Sequence, residues 1–259
     1  MIATVKDVLD AVCAIAPPEL AEDYDNVGLL VGHPERPVQT AIVALDVTPA
    51  LVDEALEKGA QLIVSHHPLL FRGRKHLRED DPEGALLCRL VRGRLSLIAA
   101  HTNFDRASPG VADALAAALS LQNVRILPQG LRIGELARPM SAARLREYVQ
   151  KRLGGWPRLS APDGGATPIR RVAVCGGSGG SLWRVAAEGG ANAYVTGEVS
   201  YHEGLDAAAA GMAAVDAGHR ETEMPGVRAL ADGLQIRLNA LQYQVAIVTG
   251  ASAAAGAMI

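Results

Sequence analysis

Residues 41–67, AIVALDVTPALVDEALEKGAQLIVSHH, decide the fold of this chain. They begin with a short apolar run, Ala41 to Leu45, continue through a helical pattern from Pro49 to Lys58, and end in a second apolar run, Leu62 to Ser65. A strand, a helix and a strand in this order are typical of a parallel sheet covered by helices. Two adjacent histidines follow the second strand directly.

Residues 172–198, VAVCGGSGGSLWRVAAEGGANAYVTGE, repeat this scheme in the second half of the chain. A second pair of blocks also matches, because residues 97–115 and residues 213–230 each carry a histidine followed by Pro-Gly-Val. Two matches in the same order favour duplication of one βαβ-type unit. The alternative is coincidence, since the blocks are short and rich in Ala and Gly.

We therefore predict an α/β protein of two similar halves, each with a mostly parallel sheet covered by helices. The first half is expected over residues 1–126 and the second over residues 170–250. Residues 127–169 are interpreted as a linker region that contains one helix and a Pro/Gly-rich loop. Residues 251–259, ASAAAGAMI, are expected to form a flexible tail.

Composition excludes several classes of protein. The chain has 259 residues, of which 49% are hydrophobic and only 3% aromatic, so an aliphatic core is expected and a disordered chain is excluded. The balance of 25 basic and 28 acidic residues gives no footprint for nucleic acid. Three separated cysteines without a paired motif indicate a reducing compartment. No apolar stretch reaches the length of a membrane span, so a cytoplasmic protein is expected.

Four histidines and two carboxylates follow three predicted strands, close to the point where each strand ends. They are His66, His67, His101, Asp105, His219 and Glu223. Ligands of parallel α/β sheets bind at the carboxyl ends of the strands. Imidazoles and carboxylates together suit Zn, Mn, Fe or Co. Six such groups exceed what one tetrahedral ion with an open position takes, so we predict two divalent ions per chain.

The position of these residues along the chain has a consequence for the site. Four of them belong to the predicted first half and two to the second, so a shared centre would lie in the cleft between the halves. For each residue alone the alternative is structural. A lone histidine is more often a surface or packing residue, as we expect for His33 and His76. A carboxylate at a helix start is usually a cap.

The glycine-rich stretch at residues 176–180 leaves two interpretations open. It joins a predicted strand to a predicted helix, so it could hold an anion at the helix N-terminus. It lacks both the GxGxxG spacing and the lysine of a phosphate-binding loop. A tight turn that closes the strand onto its helix is equally compatible with the sequence.

With these residues the sequence resembles the Nif-three-like dinuclear metal-centre family, whose members are often called GTP cyclohydrolase 1 type 2 proteins. The blocks that carry the resemblance span nearly the whole chain and are residues 25–32 (DNVGLLVG), 45–48 (LDVT), 65–68 (SHHP), 101–105 (HTNFD), 130–135 (GLRIGE), 196–198 (TGE) and 218–223 (GHRETE). The resemblance implies metal ligands at the six residues named above, with Glu223 bridging the ions. It also implies a toroidal homohexamer built as a trimer of dimers.

The resemblance further implies an activity, the hydrolytic opening of the GTP purine ring by a metal-activated water. Glu198 and His202 are then candidates for proton transfer. Arg72 and Arg74 are candidates for contact with the substrate phosphates, although a solvated basic loop is the favoured interpretation, since charge runs are usually exposed. Two other functions stay open: a metal-dependent hydrolase of a different substrate, and a non-catalytic metal-binding or scaffold protein.

Overall fold

The structure, a computed structural model, describes residues 1–251. The flexible tail expected at 251–259 therefore lies outside the described residues, apart from Ala251. The strands in chain order are β1 (Ala3–Thr4), β2 (Gly28–Val31), β3 (Pro37–Val38), β4 (Thr40–Ala44), β5 (Leu62–Ser65), β6 (Ser96–Ala99), β7 (Gln122–Ile126), β8 (Arg132–Met140), β9 (Arg158–Ser160), β10 (Ile169–Ser178), β11 (Ala193–Gly197), β12 (Ala213–Asp216) and β13 (Ala246–Thr249).

The α-helices of the described residues are mostly short, and α9 is the longest. They are α1 (Val5–Ile15), α2 (Pro49–Glu57), α3 (Pro82–Arg92), α4 (Thr102–Arg106), α5 (Val111–Ala118), α6 (Ala142–Leu153), α7 (Trp183–Glu188), α8 (Tyr201–Ala209) and α9 (His219–Ala240). None of these helices combines the length and the apolar character that crossing a bilayer requires.

The chain forms two compact units. The first consists of Met1–Ala107 and the chain from Val227 onward, and the second consists of Ser108–Gly226. These limits differ from the boundaries expected at residues 126 and 169. The stretch interpreted as a linker supplies β8, α6 and β9 to the second unit, because β8 pairs with β10 and β9 pairs with β12.

The first unit has a five-stranded sheet in the order β13-β4-β5-β6-β2. All neighbours are parallel except β2, which runs antiparallel to β6. Helix α2 buries Leu51, Val52 and Ala55 in a core that also contains residues of β4 and β5. In the parallel register Ser65 lies beside Ala99, so β5 and β6 end at the same edge of the sheet.

The second unit has a six-stranded sheet in the order β7-β8-β10-β11-β12-β9. Its centre, β10-β11-β12, is parallel and is joined by α7 and α8, as β4-β5-β6 is joined by α2 and α3 in the first unit. The expected α/β class with two similar halves is thus confirmed. The mostly parallel sheet is found only in the first unit, because β7, β8 and β9 add antiparallel pairings around the parallel centre of the second.

Helix α9 differs from the sequence expectation at its start. The sequence pattern from Val227 to Leu234 predicts a helix, whereas α9 begins eight residues before Val227, at His219. Pro225 and Gly226 look like a break in the sequence. Pro225 nevertheless lies inside α9, where it cannot donate the usual i→i−4 hydrogen bond to the carbonyl oxygen of Glu221. The stretch from His219 to Glu223 is therefore the first helical turn rather than a loop.

Candidate metal centre

The first unit brings together three histidines at the edge where β5 and β6 end. His66 and His67 directly follow β5, and His101 stands one residue before α4. One ligand-type atom from each of the three lies within 4.8 Å of those from the other two, so they could hold a metal ion. Asp105 on α4 adds a carboxylate, with its Oδ1 at 3.6 Å from Nε2 of His66.

Each of these imidazoles is oriented through Nδ1. The carbonyl oxygen of Ala100 accepts a hydrogen bond from His66 at 2.7 Å. Because a carbonyl only accepts, Nδ1 carries the proton, and in the neutral ring Nε2 keeps the lone pair that binds metals. Nδ1 of His67 lies 2.7 Å from Oδ1 of Asp46. Nδ1 of His101 lies 2.9 Å from Oδ1 of Asp25.

The Asp25 side chain is buried yet held as a carboxylate. Burial opposes its ionisation, but hydrogen bonds from Thr102 and His101 outweigh burial and lower the pKa of Asp25 below its ordinary value. Besides its bond with His101, the carboxylate accepts hydrogen bonds from the Thr102 hydroxyl and from the backbone N–H of Thr102 and Asn26. A charged, immobile acceptor of this kind fixes the tautomer and orientation of a metal-binding imidazole.

The second unit places one histidine and one carboxylate on the first turn of α9. His219 and Glu223 are four residues apart, so they share one face of the helix. Nε2 of His219 lies 3.1 Å from Oε1 of Glu223, whose side chain is buried. Nδ1 of His219 lies 2.8 Å from Oε1 of Glu198. The second unit thus repeats the pattern of the first, a histidine oriented by a carboxylate from a neighbouring strand end.

Glu198 occupies a constrained turn directly after β11. Its φ of 58° is in the left-handed region, which is uncommon for residues other than glycine. The Asp216 carboxylate holds the turn, because it accepts hydrogen bonds from the backbone N–H of Glu198 at 3.0 Å and of Val199 at 3.2 Å. It also accepts one from Gly218, just before His219, at 3.2 Å. Asp216 therefore positions both members of the Glu198–His219 pair.

The glycine-rich stretch lies against the candidate ligands of the second unit. Gly177 has a φ of 64°, and its N–H donates to Oγ1 of Thr222 at 3.0 Å. A Cβ on Gly177 would overlap Oε1 of Glu223 and would lie 3.1 Å from Nε2 of His219. Only glycine allows the backbone to approach these two side chains this closely.

The donor set fits a divalent transition metal. All four imidazoles have Nδ1 on an oxygen, which directs Nε2 toward metal binding, and carboxylates lie beside Nε2 of His66 and His219. Two ligand-type residues in the second unit alone are too few for a site, whereas the first unit supplies three histidines and Asp105. No cysteine of residues 1–251 belongs to these groups.

The other residues named from the sequence have different surroundings. Arg74 forms ion pairs with Asp81 and with Glu83, the latter at 2.8 Å. Arg72 is exposed on the same loop, which follows β5 and the two histidines after it. His202 is exposed on the first turn of α8, where its ring contacts Tyr201. Within residues 1–251 His202 belongs to no metal-ligand group.

Asp25, Asp46 and Asp216 are the functional candidates that the sequence did not reveal. Asp25 and Asp46 orient a histidine, and Asp216 holds the turn at Glu198. Each does so through a hydrogen bond to a residue that is distant in sequence. Asp25 and Asp46 stand within blocks that carry the family resemblance, DNVGLLVG and LDVT, and this is the one signal that pointed to them.

Comparisons with known proteins agree with this fold. The family model Duf34/NIF3 (NGG1p interacting factor 3) matches residues 3–253. A protein of Streptomyces coelicolor named GTP cyclohydrolase 1 type 2 homolog is 38% identical over 85% of this chain and 82% of its own length. One of Clostridium perfringens with the same name is 31% identical over 91% and 92%.

Solved structures show the same fold. A Bacillus cereus protein related to NIF3 superposes with a TM-score of 0.93 at 24% identity, covering 100% of this chain and 99% of that one. Reduced HcgD from Methanocaldococcus jannaschii superposes with a TM-score of 0.81 at 25% identity, covering 97% and 99%. Because the family model spans nearly the whole sequence and the relatives match over most of their length, the chain belongs to the Duf34/NIF3 family.

Proposed function

We propose that this protein is a metal-dependent hydrolase with two divalent transition-metal ions per chain. The observation that carries the proposal is the common arrangement of the four histidines, each with Nδ1 held by an oxygen acceptor. Structural histidines have no reason to share this arrangement, whereas metal ligands require a fixed tautomer. The ions are Zn, Mn, Fe or Co on the basis of the donor types.

The proposed ligands come from both units. His66, His67, His101 and Asp105 belong to the first, and His219 and Glu223 belong to the second. We propose that they complete one dinuclear centre in a cleft between the halves, with Glu223 as the bridging carboxylate. Bound ions of this kind supply Lewis-acid activation of water for hydrolysis. The ligands would hold the ions, the oxygen acceptors on Nδ1 would fix the tautomers of the histidines, and other side chains would transfer protons.

Glu198 has two candidate roles within this proposal. Its hydrogen bond to His219 lowers its pKa below the ordinary value, with burial as a smaller opposing effect, so the carboxylate is ionised at neutral pH. An ionised group can accept a proton during hydrolysis, and it also orients His219. His202, exposed on α8, is the other candidate for proton transfer.

The proposed substrate is GTP, whose purine ring would be opened by hydrolysis. The name of the Streptomyces and Clostridium relatives supports this choice, and the exposed Arg72 on the loop after β5 suits a phosphate-bearing ligand. A cytoplasmic homohexamer, a trimer of dimers, is the proposed assembly. Light scattering of the purified chain measures the assembly independently of activity.

Two measurements test the proposal. Elemental analysis of protein purified without chelator should find close to two transition-metal ions per chain. A content well below one ion, even after incubation with Zn or Mn, would refute the metal centre. Metal-loaded protein should then release formate or a pterin precursor from GTP, detected by mass. Metal binding without turnover of GTP, but with turnover of other esters or amides, would keep the hydrolase and reject the substrate. Metal binding with no turnover would favour the non-catalytic alternative.

A further inference from the structure

Aromatic side chains are scarce in this chain, yet both phenylalanines lie beside candidate metal ligands. The sequence has two Phe, two Trp and five Tyr. Phe104 is buried, with its ring centroid 6.3 Å from that of His66. Phe71 has its centroid 6.1 Å from that of His101, but 43% of Phe71 is exposed. Phe104 therefore packs behind a ligand, whereas Phe71 presents apolar surface to solvent.

Phe71 is paired with a second exposed aromatic residue. The rings of Tyr24 and Phe71 meet edge to face, with centroids 6.3 Å apart, and 68% of Tyr24 is exposed. Packing does not explain this pair, because each ring keeps much of its surface in water. Exposed aromatic surface next to a candidate active site is typical of ligand binding.

The segment that carries Tyr24 is held in place by the same contacts that orient His101. Asp25 accepts the hydrogen bond of His101, and Asn26 donates through Nδ2 to the carbonyl oxygen of Leu70 at 2.5 Å. Asp25, the residue after Tyr24, is thus hydrogen-bonded to the candidate ligand His101. Leu70, the residue before Phe71, is hydrogen-bonded to Asn26 of the same segment. The aromatic pair is thus fixed relative to His101 rather than carried on an independent loop.

We propose that Tyr24 and Phe71 form a stacking platform for a planar aromatic ring of the substrate, with Arg72 next to it contacting an anionic group. The inference rests on the proposed function, because the platform would hold the ring beside the candidate ions. Aromatic side chains stack on heterocycles with useful affinity, and a guanidinium recognises phosphate. A phosphate-bearing purine has both a planar aromatic ring and an anionic group, and it is the ligand that we propose for this platform.

Isothermal titration of the zinc-loaded, full-length protein tests the platform with three probes: guanosine, GMP and ribose 5-phosphate. Guanosine and GMP should bind better than ribose 5-phosphate, which lacks the ring. Phe71→Leu and Tyr24→Leu should each weaken guanosine binding roughly tenfold, the effect of losing one stacking partner. Arg72→Gln should weaken GMP binding and leave guanosine binding unchanged. The matched control is Tyr201→Leu, which removes an aromatic residue that is 76% exposed in the second unit.

The outcomes separate this inference from the proposed function. Unchanged guanosine affinity in both Phe71→Leu and Tyr24→Leu, with zinc content at the wild-type level, would overturn the platform. So would equal affinity for guanosine and ribose 5-phosphate, absence of guanosine binding, or an equal loss in Tyr201→Leu. Ring-dependent binding that Phe71→Leu weakens, in a protein without GTP turnover, would support the platform while rejecting GTP as the hydrolysed substrate.

Discussion

His219 and Glu198 form a hydrogen bond within the second unit, with Nδ1 of the imidazole 2.8 Å from Oε1 of the carboxylate. The partners come from different elements, since Glu198 follows β11 and His219 begins α9. A charged acceptor on Nδ1 raises the basicity of Nε2, the atom that would bind a metal in the proposed centre. If His219 binds a metal as proposed, Glu198 at the end of β11 would therefore influence the strength of metal binding without being a ligand itself.

Glu198→Gln tests this link. Glutamine keeps the size and one acceptor oxygen but loses the charge, so we expect metal affinity to fall by about tenfold while the apo protein keeps its fold. Competition with a chromophoric chelator measures the affinity. Glu188→Gln, at the exposed end of α7, removes the same charge from the same unit and should leave the affinity unchanged. An equal loss in both variants would mean that net charge, and not orientation of His219, controls binding.

Asp216→Asn tests how the turn at Glu198 is held. Burial opposes ionisation of Asp216, but Arg158 and backbone N–H groups outweigh burial and lower its pKa. A pKa that is lower in the folded than in the unfolded state contributes stability above the unfolded value, about 4, and this contribution is lost as pH falls through the folded value. We expect Asp216→Asn to lower the free energy of unfolding of the apo protein by about 2 kcal/mol at pH 7.

The free energy of unfolding of Asp216→Asn should also fall less steeply than that of wild type as the pH is lowered. The difference between the two proteins should therefore shrink below about pH 4. Denaturant unfolding from pH 3 to pH 7 measures both effects. Asp206→Asn is the control, since Asp206 pairs with Arg184 at 3.4 Å in an exposed position and should contribute little. A pH-independent difference between Asp216→Asn and wild type would contradict a role for the charge.

Gly177→Ala tests the close approach of the glycine-rich stretch. The added methyl would overlap the Glu223 carboxylate, so we expect at least a tenfold loss of metal affinity. A positive φ also strains alanine, by about 1 kcal/mol. Gly164→Ala separates the two effects, because Gly164 has a φ of 62° and no atom lies within 4 Å of the position that its Cβ would take. Gly164→Ala should lower the melting temperature and keep the metal, whereas equal metal content in both variants would show that the approach is unimportant.

The fold was predictable wherever local pattern and burial agreed. The strand from Leu62 to Ser65 is buried throughout and is followed directly by His66, and its predicted limits are correct. The start of α9 was missed because Pro225 and Gly226 imitate a turn. The antiparallel strands of the second sheet were missed because β8 and β9 derive their stability from pairing with distant strands, which no local window contains.

The candidate site also has a part that was predictable from the sequence and a part that was not. Its six ligand-type residues stand at predicted strand ends, so residue type and position were enough to propose them. The groups that orient them were not accessible, since Asp25 lies 76 residues before His101. Such a pairing depends on the sheet order, and one sequence does not specify which strand ends become neighbours. The role of Gly177 was hidden for the same reason, because glycine at a close approach and glycine at a turn are identical in sequence.

Glu223→Gln tests whether the two units share one centre. The proposed ligands of the first unit precede Ala107, and those of the second lie on the first turn of α9. If bound ions join the two sets, metal binding stabilises the folded chain, by about 2.7 kcal/mol at a free metal concentration of 100 times Kd. Loss of the Glu223 carboxylate, the proposed bridging ligand, should remove this gain. We therefore expect Glu223→Gln to lose metal and to melt at a lower temperature than wild type in zinc-containing buffer.

In chelator the two proteins should melt close together, because glutamine nearly preserves the volume of the buried side chain. Glu221→Gln, two residues earlier on α9, is the control: its carboxylate lies 3.6 Å from Arg220, and it has no proposed role as a ligand. It should keep both ions and the zinc-dependent rise in melting temperature. Should Glu223→Gln retain two ions and the full zinc-dependent rise, Glu223 would be a structural residue of α9 and the shared centre would be wrong. A rise of equal size with only one ion retained would place the stabilising ion on the histidines of the first unit alone.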